Sequence, residues 1–169
     1  RWALVQGMAI TAALRPPPDT TNRVADSADA ATLGRLIFND IALGGVGMMS
    51  CAFCHRPSSA LQDSRATAAG VNPAGAQALG DRNTPWLGSV AFARTQLWDG
   101  RADSLWAQAL GPIENDREFA SNRMRVVRRI FTLRANEYRA AFGAPPDVSD
   151  ASRFPADARP GMASWDAKI

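Results

Sequence analysis

The two cysteines and the single histidine of this 169-residue chain all fall in one pentapeptide, Cys51-Ala52-Phe53-Cys54-His55. Its C-x-x-C-H spacing is that of c-type haem attachment. Two thiols three positions apart reach the two vinyl groups on one edge of a porphyrin and form thioethers. The adjacent imidazole then lies beneath the iron as an axial ligand. Competing chemistries fit less well. A structural zinc site needs four ligands, and the chain offers three Cys and His side chains. A thioredoxin-like pair follows a strand in a βαβ pattern, which is absent here. A Cys51–Cys54 disulfide closes a loop too small to add much stability.

The rest of the chain reads as short helices joined by long loops. Leu33, Leu36 and Ile37 share one face of a helix capped by Ser27 and reaching Phe38. Residues 56–97 show no sustained period, and a loop of that length is abnormal unless it wraps something large that is not protein. A short helix is predicted over Ser104–Leu110, with Gly111-Pro112 as its stop. Another begins near Ser121 and buries Met124, Val127, Ile130 and Phe131, with Arg123, Arg125, Arg128 and Arg129 on a solvated face. Tyr138 and Phe142 belong to a further short helix ending at Gly143. No strand with clear alternation is seen. The expected fold is all-α, a cytochrome c-like haem domain at 21–143 with long haem-wrapping loops. Residues 1–20 form an N-terminal helix and proline-rich lead-in, and 144–169 an extended linker toward a second haem domain. The apolar stretch 2–14 reads as a core-packing helix halted by Pro16-Pro17-Pro18, in preference to a signal-peptide remnant.

Composition removes several function classes. The chain is 46% hydrophobic and 21% charged, which excludes disorder throughout. No uncharged apolar run is long enough to span a bilayer. The net charge is only +3, and no basic tract with interleaved aromatics marks a nucleic-acid binder. Thioether attachment places the protein outside the cytoplasm, in a bacterial periplasm. With one histidine on the proximal side, the sixth iron position is open, water-bound or taken by a methionine. The candidates are Met8, Met48, Met49, Met124 and Met162.

Several separated motifs then fall in one order. Leu33-Gly34-Arg35-Leu36-Ile37-Phe38 precedes the attachment motif. Arg82-Asn83-Thr84-Pro85, Trp98-Asp99-Gly100-Arg101 and Gln108-Ala109-Leu110-Gly111-Pro112 follow it. Over roughly residues 18–165 the chain resembles the N-terminal, peroxide-reacting haem domain of the bacterial di-haem cytochrome c peroxidase/MauG family. The resemblance implies that Gln108, Pro112 and Glu118 shape the distal pocket, with Glu118 as general acid–base and Glu114 as the runner-up. It implies Trp98 as an electron relay between two haems, its turn fixed by an Asp99–Arg101 pair. It also implies Asn83 as a contributor to a calcium site. Arg82 and Arg101 are candidates for the haem propionates on charge alone. Two departures stand out. The stretch Val71-Asn72-Pro73-Ala74-Gly75 lacks the distal histidine of many family members, which suggests a site already open in the oxidised state, as in MauG-type members. Phe119 replaces the family's methionine.

The function implied is reduction of hydrogen peroxide, or MauG-like oxidation of a protein side chain through a high-valent iron. One covalent haem c is expected per chain. Electrons come from a donor protein or a second haem, on another chain or on a portion outside this sequence. The alternative is a mono-haem electron carrier with the sixth position closed; a third reading is a non-catalytic haem subunit. The oligomeric state is left open.

Overall fold

The computed structural model describes residues 15–159. The apolar stretch 2–14, Met8 and Met162 lie outside them. Helix α1 spans Ala28–Asn39, and its first turn is capped by Ser27, whose Oγ accepts from Ala30 N at 3.2 Å. Such a cap contributes about 1 kcal/mol. Leu33 is the buried residue of its apolar face, and Leu36 and Ile37 are half-buried beside it. The attachment motif forms a single turn, α2 (Cys51–Cys54). After a long connection come α3 (Leu105–Glu114), α4 (Arg123–Leu133) and α5 (Ala135–Phe142). Helix α1 packs chiefly on α5, and also on α2. Phe131, Tyr138 and Phe142 form an aromatic ladder along α4 and α5, with ring centroids 4.8 and 5.0 Å apart.

The all-α expectation needs correcting: the aperiodic stretch contains a small antiparallel hairpin. Strands β1 (Ala69–Val71) and β2 (Gln77–Leu79) pair with Ala69 opposite Leu79 and Val71 opposite Gln77. The turn between them is made by side-chain chemistry. Asn72 Oδ1 accepts from Ala74 N and Ala76 N, both at 3.0 Å, and Gly75 takes φ +81°. Three-residue strands carry too little alternation to read from sequence.

Helix α3 also runs past its expected stop, ending at Glu114 with Pro112 inside it. Pro112 cannot donate to the carbonyl of Gln108. Its own carbonyl is used instead by the chain folding back, accepting from Asn115 N at 3.4 Å and Phe119 N at 3.3 Å.

One cluster of the core joins Leu43, Met49, Val71, Phe119 and Val126; a second joins Met124, Phe154 and Ala158. In α4 the buried residues are Met124 and Val126, while Val127, Ile130 and Phe131 are half-buried. The arginines of α4 are solvated only in part: Arg125 is exposed, while Arg123, Arg128 and Arg129 are half-buried. Arg123 pairs with Glu114 at 2.8 Å, and Arg125 donates to the Gly45 carbonyl at 2.8 Å. Arg128 donates to the Phe154 carbonyl at 2.7 Å, and Arg129 lies 3.6 Å from Asp40. Each guanidinium ties the helix to a different segment, which hydropathy patterning does not reveal. Residues 144–159 contain no helix or strand, yet they are docked through Phe154 and Ala158.

Two glycines set the closest approaches. A Cβ on Gly45 would lie 1.8 Å from the Ala120 carbonyl oxygen, and one on Gly70 would lie 2.1 Å from that of Arg117. Gly34, on α1, has nothing within 4 Å. Gly45→Ala and Gly70→Ala are therefore expected to destabilise by about 1–3 kcal/mol or more. Gly34→Ala should stabilise by roughly 0.5–1 kcal/mol. Denaturant midpoints check this; equal effects at all three positions would contradict the packing.

Candidate functional site

The attachment turn is held at both ends. Met49 N donates to the Ile41 carbonyl at 2.9 Å, Leu43 and Met49 are buried, and the chain enters α2 through buried Ser50. His55 N closes the turn on the Cys51 carbonyl at 2.9 Å. At spacing i, i+3 the two cysteines share one side of that turn. Both are free thiols, half-buried. Burial pushes both thiols above the usual range, and for Cys54 the neighbouring Asp63 carboxylate adds to it.

The imidazole of His55 is oriented from behind. Its Nδ1 lies 3.0 Å from the Leu61 carbonyl oxygen, an atom that only accepts. Nδ1 therefore carries the proton, and Nε2 presents its lone pair. That carbonyl is aimed by two consecutive left-handed residues, Ala60 (φ 54°) and Leu61 (φ 61°). Neither is glycine, so each costs on the order of 1–2 kcal/mol. Strain of this kind at non-glycine positions tends to mark a functional site. Two reduced thiols on one side of a turn and an imidazole with Nε2 unprotonated are the donor set a c-type haem requires.

The second half of the site is the end of α3 and the loop after it. Gln108 and Pro112, four residues apart, share a face of α3 and are both half-buried. The loop turns back so that Val71 N of β1 donates to the Glu118 carbonyl at 2.9 Å and Gly45 N donates to that of Phe119 at 2.7 Å. Glu118 is half-buried, and Asn115 Nδ2 donates to its Oε1 at 2.7 Å. Burial raises the Glu118 pKa above the ordinary carboxylate value. The Asn115 hydrogen bond and the Arg101 charge pull the other way, as would His55 in its protonated form, and burial prevails. The structure thus brings Glu118 into electrostatic range of His55 and Cys54.

Other expected residues are placed differently. Both oxygens of Glu114 are held by Arg123, at 2.8 and 3.1 Å. Met49 belongs to the apolar core and Met124 packs on Phe154 and Ala158, so neither is presented as a ligand; Met48 is exposed. Trp98 is 77% exposed, at the tip of a turn closed by Gln96 N on the Ala102 carbonyl and by the Asp99–Arg101 pair at 2.7 Å. The Arg82 guanidinium lies over its ring, 4.9 Å from the centroid. Arg82 and Arg101 are thus engaged with Trp98 and Asp99. Asn83 is exposed, and no group of three or more His, Cys, Asp or Glu that could hold a metal is assembled among the described residues. Asn115, Asp63 and the Leu61 carbonyl escaped sequence reasoning. Only Asn115, three positions before Glu118 at the start of a turn, left a signal in the pattern.

A thiol-thiol-imidazole turn on a small helical core defines a haem-attachment domain of cytochrome c type. Comparison with known proteins makes this specific. Residues 28–156 match the family model described as di-haem cytochrome c peroxidase, and the chain belongs to that family. It is 38% identical over 129 residues to the methylamine utilization protein MauG of Paracoccus denitrificans, covering 67% of this chain and 33% of that protein. It is 34% identical over 119 residues to cytochrome c551 peroxidase of Nitrosomonas europaea, covering 70% and 34%. Among solved structures, a MauG-like protein associated with microbial copper homeostasis superposes with a TM-score of 0.64 at 26% identity, covering 76% of this chain and 38% of that one. The chain spans about a third of the length of these curated relatives.

Two outcomes are expected. Purified from a host that matures c-type cytochromes, the protein should carry covalent haem by intact mass. Cys51→Ala/Cys54→Ala should have the mass of bare polypeptide; equal masses for both would contradict the assignment. Second, because the Glu118 pKa is raised on folding, the stability favoured by its neutral form is kept at low pH and lost as pH rises through the raised value. Glu118→Gln should therefore gain stability over the parent at pH 8 relative to pH 4. A pH-independent difference in unfolding midpoints would contradict this.

Proposed function

We propose that this chain is the peroxide-reacting domain of a periplasmic c-type haem peroxidase that reduces hydrogen peroxide to water. It carries one haem, bound through Cys51 and Cys54 and ligated by His55. Electrons arrive from a second haem or a donor protein. The carrying observation is the half-buried Glu118 carboxylate, held by Asn115 on a loop that hydrogen bonds from Gly45 N and Val71 N tie to the segment bearing His55. Bound haem supplies the redox-active iron at which the O–O bond of peroxide is cleaved. Everything else asked of the site is proton handling and positioning, which this chain's own residues can perform.

The roles follow from the chemistry of each side chain. Glu118 Oε2, its other oxygen engaged by Asn115, accepts a proton from the near peroxide oxygen and returns it to the leaving oxygen, so that water departs instead of hydroxide. A carboxyl whose pKa is raised is better matched to both halves of that exchange near neutral pH. Pro112 offers a non-donating surface and Gln108 an amide hydrogen bond, both from one face of α3. Two electrons and two protons complete reduction to two waters. Trp98 suits electron transfer because its indole is polarizable and lies exposed, where a partner can approach it. The family membership and the MauG relatives support oxidation of a protein side chain as the second reading of the same site. No helix among the described residues is long and apolar enough to cross a membrane.

Glu118→Gln is expected to lower peroxide turnover by about 10²–10⁴-fold while leaving the haem absorption spectrum intact. Glu114→Gln, which breaks the Arg123 pair, should weaken folding and retain turnover. Stopped-flow mixing with peroxide checks both. Similar losses in the two variants would remove Glu118 from the role. Trp98→Phe should slow reduction by an electron donor more than it slows the reaction with peroxide; equal losses would remove Trp98 from the electron path.

A further inference from the structure

We propose that Asn115 is the positioning residue of this site, its amide NH₂ fixing the Glu118 carboxylate in the orientation that receives a proton. The proposal rests on the reading of Glu118 as the proton carrier. Every polar group of Asn115 is committed. Its N–H donates to the Pro112 carbonyl at 3.4 Å, and its carbonyl accepts from Glu118 N at 3.0 Å and Ala120 N at 2.9 Å. Its Oδ1 accepts from Arg117 N at 2.9 Å, and its Nδ2 donates to Glu118 Oε1 at 2.7 Å. The amide orientation is not arbitrary. A backbone N–H only donates, so the atom facing Arg117 N must be the oxygen, and the NH₂ must face Glu118.

The backbone of Glu118 is fixed independently. Val71 N holds its carbonyl at 2.9 Å, and a Cβ on Gly70 would lie 2.6 Å from the Glu118 Cα. Only the side-chain torsions remain to be set, and the Asn115 amide is the one hydrogen-bond donor seen on that carboxylate among the described residues. Strand β1 brings no titratable group to it. The charged and titratable groups acting there are His55 and Cys54 of the attachment turn and Arg101, which is itself paired with Asp99. The nearby charges on its own loop are drawn elsewhere: Arg117 to Asp81 at 2.7 Å and Asp116 to Arg159 at 3.4 Å. Burial and the Asn115 bond thus oppose each other at Glu118, and the amide keeps a half-buried carboxylate ionisable.

Asn115→Asp separates this role from turn formation. An aspartate still accepts from Arg117 N, but turns an oxygen toward Glu118 Oε1, and two carboxyls at that distance share a proton. In the haem-loaded protein, the infrared carboxyl band assigned to Glu118 by difference against Glu118→Gln is followed with pH, without peroxide. The band's titration should move up by about 1–3 pH units in Asn115→Asp, and the acid limb of the peroxide pH–rate profile should move with it. Asn115→Ser, which keeps an acceptor for the turn and loses the amide NH₂ that reaches Glu118, should shift both the same way by less, and decides the matter if the aspartate variant fails to load haem. An unmoved infrared titration in whichever variant loads haem overturns the proposal. A moved band with an unmoved pH–rate profile upholds Asn115 as the positioning residue and overturns Glu118 as proton carrier.

Discussion

Two glycine backbones pressed against one loop hold this site together. Gly45 lies before the attachment turn and Gly70 in strand β1 well after it, and both touch the backbone of residues 117–120 where no Cβ could fit. Each contact is backed by a hydrogen bond, from Gly45 N to Phe119 and from Val71 N to Glu118. Phe119, the residue between, is buried with Leu43, Met49 and Val71. The segment bearing Cys51, Cys54 and His55 is thereby locked to the segment bearing Glu118, although more than sixty positions separate them. Without that lock the two halves of the chemistry would belong to independent loops.

Both halves are tuned from behind. His55 gains its tautomer from the Leu61 carbonyl, at the cost of two left-handed non-glycine residues. Glu118 is set against burial by the Asn115 amide. In each case a neutral hydrogen-bonding partner outside the reacting set determines which atom carries a proton. Under the proposed function this would suit proton handling beside a haem, since a charged partner there would also shift the energy of electron transfer.

Much of the site could be read from the sequence because its signals are local. The pentapeptide carries its own chemistry, Ser27 caps its own helix, and the Asp99–Arg101 pair spans three residues. What could not be read depends on the chain's return path. The 69–79 hairpin is too short to show alternation and is made by Asn72 and Gly75. The α4 arginines look solvated on a helical wheel because their acceptors, the Gly45 and Phe154 carbonyls, come from distant segments. Pro112 reads as a stop, yet α3 passes through it because the following loop uses its carbonyl. Asn83, which the family resemblance suggests as a calcium ligand, is exposed.

The proposed function rests on His55 serving as one ligand of a haem iron whose opposite side would be free for a small oxidant. The electron paramagnetic resonance spectrum of the ferric, haem-loaded protein tests this most directly, recorded with and without cyanide. A high-spin signal that converts to low-spin as cyanide binds is the expected result. A low-spin signal at the start, unchanged by cyanide, would mean that a second protein ligand closes the iron and would contradict it.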